Sequence, residues 1–146
     1  MKKIISADSC RLNHSAESVF NAVADVMVYK NWWSNNVKVK VLESSSNFIG
    51  SRIEIRASGG WFRCEIVSVN KPYKVRVRYY AGVQIGEGIW TNEKTGDSDT
   101  KLTYSIKLEP FGFIPRFLSN FINFSKIHSK AMKEMFVSLD RYLSSI

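Results

Sequence analysis

The chain has 146 residues, 45% of them apolar and 23% charged, with a formal net charge of +8. This length suits one domain, 1–146, that buries about two thirds of its unfolded surface without help from metals or disulfides, and the composition excludes the low-hydrophobicity signature of disorder. The positive balance attracts anionic ligands, nucleic acid or acidic headgroups as a general bias and defines no function.

Residues 2–12 read as a first strand that ends at "NHS". The opening "MKKIISADSC" has no apolar run before Asp8 and Arg11 and is not a secretory signal. Nothing in the chain approaches 18 consecutive apolar residues, so the cytoplasm is the expected location. Cys10 and Cys64 lie far apart and outside any CxxC or Cys/His array. They read as reduced core thiols, with no metal site indicated.

Ser15 is a good N-cap, with Glu17 in the first turn where a carboxylate suits the helix dipole. Ala16, Val19, Phe20, Val23 and Ala24 then follow the spacing of one buried helical face. Asp25 caps a second short helix carrying Tyr29, Trp32 and Trp33, and "SNN" stops it. Side chains of that size either fill a core or line a hollow.

From Val37 to Glu109 the period falls to two. Val37, Val39 and Val41 alternate with lysines, and Ile53 and Ile55 with charged residues. Val75, Val77 and Tyr79 follow the same rule, as do Leu102, Tyr104, Ile106 and Leu108. This predicts six antiparallel strands, seven with the first, each with one wet and one covered face. Turn signals fall at "SSSNFIGS", "SGG", "NKPY", "AG" and "NEKTGDSD".

The last segment places Pro115 at a helix N1 position. Phe117, Phe121, Phe124, His128, Met132, Met135, Leu139 and Tyr142 repeat near 3.6 residues, opposite Lys126, Lys130 and Lys133. A helix over 116–144 is about 43 Å long and crosses a whole sheet. The expected class is therefore α+β: a curved seven-stranded antiparallel sheet wrapped around a long C-terminal helix, with two short helices between strands 1 and 2. A curled sheet over a single helix leaves a gap, and the tryptophans are expected at its mouth or wall.

This order of elements, with "SAESVFNAVADVMVYKNWW" near the start, "GEGIW" before "TKLTYSIKLEP", and the aromatic last helix, resembles the START-like (SRPBCC) superfamily. Its fold is the helix-grip, or Bet v I-like, fold, and the polyketide cyclase/dehydrase-like branch is the most similar. The resemblance spans essentially the whole chain and implies a cavity for an apolar or amphipathic small molecule. Members bind lipids, sterols, polyketides, hormones or quinones, and some catalyse cyclisation or dehydration. Fold alone does not choose among these.

No metal-ligand spacing, phosphate-binding glycine loop, GxSxG elbow or HExxH is present. Any chemistry rests on a few polar groups in an apolar pocket, where one acid or base is effective. His128 interrupts the aromatic face of the last helix and can donate to a ligand or shuttle a proton; the ordinary alternative is a partly buried histidine bonded to a neighbour. Glu87 shares parity with Val83, Ile85 and Ile89 and enters the cavity if they do. The opposite parity puts Trp90 inside and Glu87 in solvent, and the glycines at 86 and 88 permit a bulge that switches phase. Tyr79 and Tyr104 sit on the covered parity as packing residues or donors. Asp8, in line with Cys10 and Leu12, is a weaker hint.

The candidate catalytic set is thus His128, Glu87 and Tyr104. The candidate ligand-binding set is Trp32, Trp33, Phe62, Tyr79, Tyr104, Phe117, Phe121, Phe124 and His128. No cofactor is expected.

Three readings follow. One is binding of a hydrophobic or amphipathic molecule (lipid, quinone or polyketide-like) that carries an acidic or carbonyl group. Another is a cyclase or dehydratase acting on a polyketide-like substrate. The third is a ribosome- or membrane-associated module, to which the basic charge and "FGFIPRFLSNF" lend some support. Glu54 and Glu65 interrupt the positive strand faces and disfavour a nucleic-acid surface. Monomer and homodimer both stay open.

Overall fold

Period-two alternation becomes a single sheet in the computed structural model, which describes residues 3–57, 59–112 and 123–146. Along the chain run β1 (Ile4–Leu12), α1 (Ala16–Ala24), a 3-10 helix (Val26–Asn31), β2 (Lys38–Glu43), β3 (Arg52–Ala57), β4 (Gly60–Asn70), β5 (Lys74–Gly82), β6 (Gln84–Gly96), β7 (Asp99–Pro110) and α2 (Phe124–Ser145). The seven strands pair antiparallel in the order β1-β7-β6-β5-β4-β3-β2, so strands adjacent in sequence are neighbours except where β1 joins β7. This is the helix-grip arrangement that the resemblance implied.

The caps form where hydroxyl and carboxylate side chains precede each short helix. Ser15 Oγ accepts from the Ser18 N–H at 3.2 Å, and Asp25 Oδ1 accepts from the Met27 N–H at 3.0 Å. Each satisfies one amide that has no partner inside its helix. Asn92, buried on β6, ties α1 to the sheet by donating to the Ala16 carbonyl at 2.8 Å and the Pro72 carbonyl at 3.1 Å.

Two expectations change in detail. The "NEKTGDSD" stretch is mostly strand: β6 and β7 stay paired out to Gly96 and Asp99, leaving Asp97 and Ser98 as the turn. Pro115, Phe117 and Phe121 lie outside the described residues. α2 starts at Phe124, has 22 residues and is about 33 Å long. Asn123 caps it, accepting from the Lys126 N–H at 3.1 Å. Met132, Met135, Phe136, Leu139 and Leu143 form its buried stripe, which drifts off the expected line at Tyr142 to take in Phe136 and Leu143.

The convex face of the sheet explains the alternating charges. Across six strands the register sets Glu43, Arg52, Glu65, Arg78, Glu87 and Lys107 side by side. Each residue therefore has opposite charges as neighbours. Arg78 closes on Glu65 at 3.0 Å. Beside this row, Glu54 takes Arg63 and Arg56, each at 3.1 Å.

Candidate functional site

The two tryptophans that follow the 3-10 helix have different surroundings. Trp32 is 1% exposed; its indole N–H donates to the Ala22 carbonyl at 3.2 Å, and its ring meets Trp90 edge-on at 6.3 Å. It belongs to the core and does not line the cavity, which corrects its place among the expected ligand contacts. Its ring also meets Tyr29 edge-on at 5.5 Å, so it stays on the core side, tied to α1. Trp33 stacks on Tyr29 with centroids 4.8 Å apart and faces the gap between sheet and helix.

That gap is a cavity of about 260 Å³, slightly under the roughly 300 Å³ at the lower end of small-molecule pockets. The sheet contributes Ile4, Ile53, Ile55, Ala57, Phe62, Cys64, Val77, Tyr79, Gln84, Trp90 and Tyr104 to its lining, the 3-10 region and the segment after it contribute Tyr29, Trp33 and Val37, and α2 contributes Phe124, Ile127, His128, Ala131, Met132 and Met135. Ile127 lines the cavity while 56% exposed, so the cavity opens along this edge of α2. Among the described residues no Asp, Glu, Lys or Arg lines it.

Glu87 points the other way, a correction to its candidacy. The β5–β6 ladder runs without a shift from Lys74–Thr91 to Tyr79–Gly86, so the two glycines introduce no bulge. Trp90 takes the inward parity, and Glu87 pairs with Arg76 at 3.5 Å on the convex face. Gly88 instead clears space on the inward face. A Cβ at Gly88 would collide with the Tyr104 hydroxyl.

Over that clearing the hydroxyls of Tyr79 and Tyr104 meet at 2.5 Å. Phe62 stacks on Tyr79 at 5.5 Å and Trp90 on Tyr104 at 4.2 Å. Burial pushes both phenols far above their ordinary range, so both stay protonated and act as donors.

His128 is mostly buried in the cavity wall, with its Nδ1 3.8 Å from Asp8 Oδ2. At that length Nδ1 has no hydrogen-bond partner among the described residues. Burial lowers the imidazole pKa below its ordinary value, and the neighbouring Asp8 carboxylate opposes this in part. Asp8 accepts from Ser6 Oγ at 2.9 Å, and Ser6 in turn lies 2.9 Å from Ser129 of α2. The weak hint at Asp8 thus becomes a polar seam between β1 and α2. Farther along this seam, His14 meets Asp140 at 2.9 Å.

Of the expected contacts, Trp33, Phe62, Tyr79, Tyr104, Phe124 and His128 are brought together around one cavity, while Phe117 and Phe121 lie outside the described residues. Tyr29, Trp90 and Cys64 also line the cavity, although none belongs to the expected contact set. The inward parity of Trp90 was the available signal, whereas Tyr29 and Cys64 depend on how the 3-10 helix and β4 face each other. Both cysteines are free, and burial raises both thiols, Cys10 to about 11.

A family described as polyketide cyclase / dehydrase and lipid transport matches residues 12–129. No curated protein matches the sequence. Among solved structures, a START superfamily protein from Mycobacterium smegmatis superposes with a TM-score of 0.76 at 14% identity, covering 97% of both chains. A protein from Thermus thermophilus gives 0.78 at 15% identity, also covering 97% of both. A norcoclaurine synthase point mutant from Thalictrum, in complex with a transition state analogue, gives 0.65 at 9% identity and 96% coverage of both. No helix among the described residues is long and apolar enough to cross a membrane. The match over residues 12–129 and the shared helix-grip architecture assign this chain to the START-like polyketide cyclase/dehydrase and lipid transport family.

Proposed function

We propose that the protein binds a hydrophobic or amphipathic small molecule, lipid, quinone or polyketide-like in character, between the sheet and α2. The observation that carries this reading is the cavity of about 260 Å³ walled by aromatic and aliphatic side chains from both layers. An empty apolar space in a core costs stability for every contact its lining forgoes. A guest recovers those contacts, and burial of its own apolar surface adds about 25 cal/mol per Å². Native mass spectrometry of gently purified protein, together with thermal shifts against fatty acids, quinones and aromatic polyketides, tests the reading. A ligand at about 100 times its Kd stabilises by about 2.7 kcal/mol. Stabilisation by none of them, with no retained mass, overturns it.

A second reading, a cyclase or dehydratase, draws on the cavity-wall position of His128 beside Asp8. A neutral imidazole near a carboxylate in an apolar pocket is a competent proton acceptor, and the tyrosine hydroxyls are within the same cavity to polarise a ligand oxygen. His128→Gln assayed against polyketide-like substrates tests it, because turnover equal to the wild type removes the histidine as acid or base. The third reading, a ribosomal or membrane-surface module, gains less, since the basic strand residues on the convex face are largely matched by glutamates.

A further inference from the structure

The tyrosine pair has a hydrogen-bond count that does not close within the described residues. Two hydroxyls carry two protons, and the 2.5 Å contact between Tyr79 and Tyr104 uses one of them. The other O–H has no protein acceptor among the described residues, although both side chains are at most 6% exposed. A buried donor left without a partner is costly, and native interiors rarely keep one without cause.

The chain goes to some length to hold this arrangement. Glycine at position 88 leaves the floor of β6 open beneath the Tyr104 hydroxyl. Stacking by Phe62 and Trp90 fixes the two rings from outside the pair. Both tyrosines line the cavity.

We propose that the Tyr79–Tyr104 hydroxyl pair is the polar anchor of this cavity, donating one hydrogen bond to the carbonyl oxygen of an uncharged apolar ligand. This rests on the reading that the cavity takes a small molecule, and it narrows that reading to a chemical class. The hydroxyl that gives its proton to its neighbour makes that neighbour a stronger donor, because hydrogen bonds in a chain polarise one another. A ketone, quinone or ester oxygen accepts such a bond without bringing charge. A carboxylate is disfavoured, because no cationic side chain among the described residues lines the cavity and an unpaired charge is expensive to bury.

The test compares three probes with the same two-ring skeleton: 1-tetralone (a ketone), tetralin (its hydrocarbon) and 1,2,3,4-tetrahydro-2-naphthoate (a carboxylate). Affinities are read by calorimetry and by NMR titration of the tryptophan indole signals. The expected result is that tetralone binds the wild-type protein about tenfold more tightly than tetralin, the ratio supplied by one net hydrogen bond, with the carboxylate weakest. In Tyr79→Phe and Tyr104→Phe the ketone-to-hydrocarbon ratio falls toward one.

Equal binding of tetralone and tetralin overturns the anchor and leaves the cavity reading standing. So does an unchanged ratio in both folded variants, or a carboxylate that binds tightest. Binding of none of the three removes the cavity reading, and the anchor falls with it. Circular dichroism establishes which variants fold. If either variant fails, the other and the wild-type comparison still decide.

Discussion

Trp32 and Trp33 are consecutive in the chain, with ring centroids 5.9 Å apart and planes at 59°, yet only the second reaches the cavity. One backbone step separates a core residue from a wall residue. The indole N–H of Trp32 is tied to a carbonyl of α1, while that of Trp33 is buried without a partner among the described residues.

The two tryptophans should therefore respond differently to truncation. Trp32→Ala removes a fully buried ring and is expected to cost about 3–5 kcal/mol, enough to unfold a marginal domain. Trp33→Ala enlarges an existing cavity and should cost less than half as much, while weakening any bound apolar probe. Urea unfolding followed by tyrosine fluorescence and far-ultraviolet dichroism ranks the two, and equal losses would contradict the division.

Gly88 offers a sharper check on the inward face of β6. In Gly88→Ala the new Cβ collides with the Tyr104 hydroxyl and falls 2.8 Å from the ring carbon that bears it, so the tyrosine must shift. Overpacking of this kind costs about 1–3 kcal/mol. Calorimetry should show a lowered Tm, and the Tyr79–Tyr104 contact should break, visible as altered tyrosine ring signals in NMR. A variant as stable as wild type would mean that the hydroxyl has room elsewhere.

His128 predicts a pH dependence of stability with a definite sign. Its pKa is lower in the folded protein than the ordinary value of 6.5, because burial disfavours the imidazolium more than Asp8 favours it. Below 6.5 the unfolded chain binds a proton that the folded state resists, so stability falls as pH drops from 6.5 through the folded pKa. His128→Gln should flatten the stability profile in that window. Denaturant midpoints measured from pH 5 to pH 8 give the comparison; a profile as steep in the variant would assign the slope to another group.

Glu54 has the opposite dependence. Hydrogen bonds from Arg63, followed by those and the charge from Arg56, hold its carboxyl below the usual carboxylate value of 4.5. Its stabilisation is complete above that value and disappears as pH falls through the lowered pKa. Glu54→Gln should unfold more readily at pH 7 than the wild type, with the difference narrowing toward pH 3. A gap that persists undiminished in acid would assign the loss to packing rather than to charge.

Much of the architecture was legible because it depends on periodicity. Alternation at 53–55, 75–79 and 102–108 gave strands with the correct inward faces, since side chains on a strand can point only two ways. Ser15 and Asp25 announced their helices because capping is a local bond between a side chain and an amide two or three residues on. Six of the expected ligand contacts surround one cavity for the same reason, as apolar parity and helical spacing place them on the covered face. Glu87 was ambiguous because the glycines at 86 and 88 conceal which parity of β6 is covered, and only pairing with Tyr79 and Tyr104 on either side resolves it.

The sequence by itself determined the order of elements, the antiparallel class of the sheet and the charged character of its outer face, all of which follow from local spacing and turn chemistry. Tertiary structure alone decided that Trp32 is packed while Trp33 faces a hollow, that Asp8 stands 3.8 Å from His128 across 120 residues of chain, and that two tyrosines on β5 and β7 touch over a glycine on β6. Such contacts depend on strand register, sheet curvature and the seat of the last helix. Those are set by the simultaneous packing of the whole core, and no local window of residues contains them.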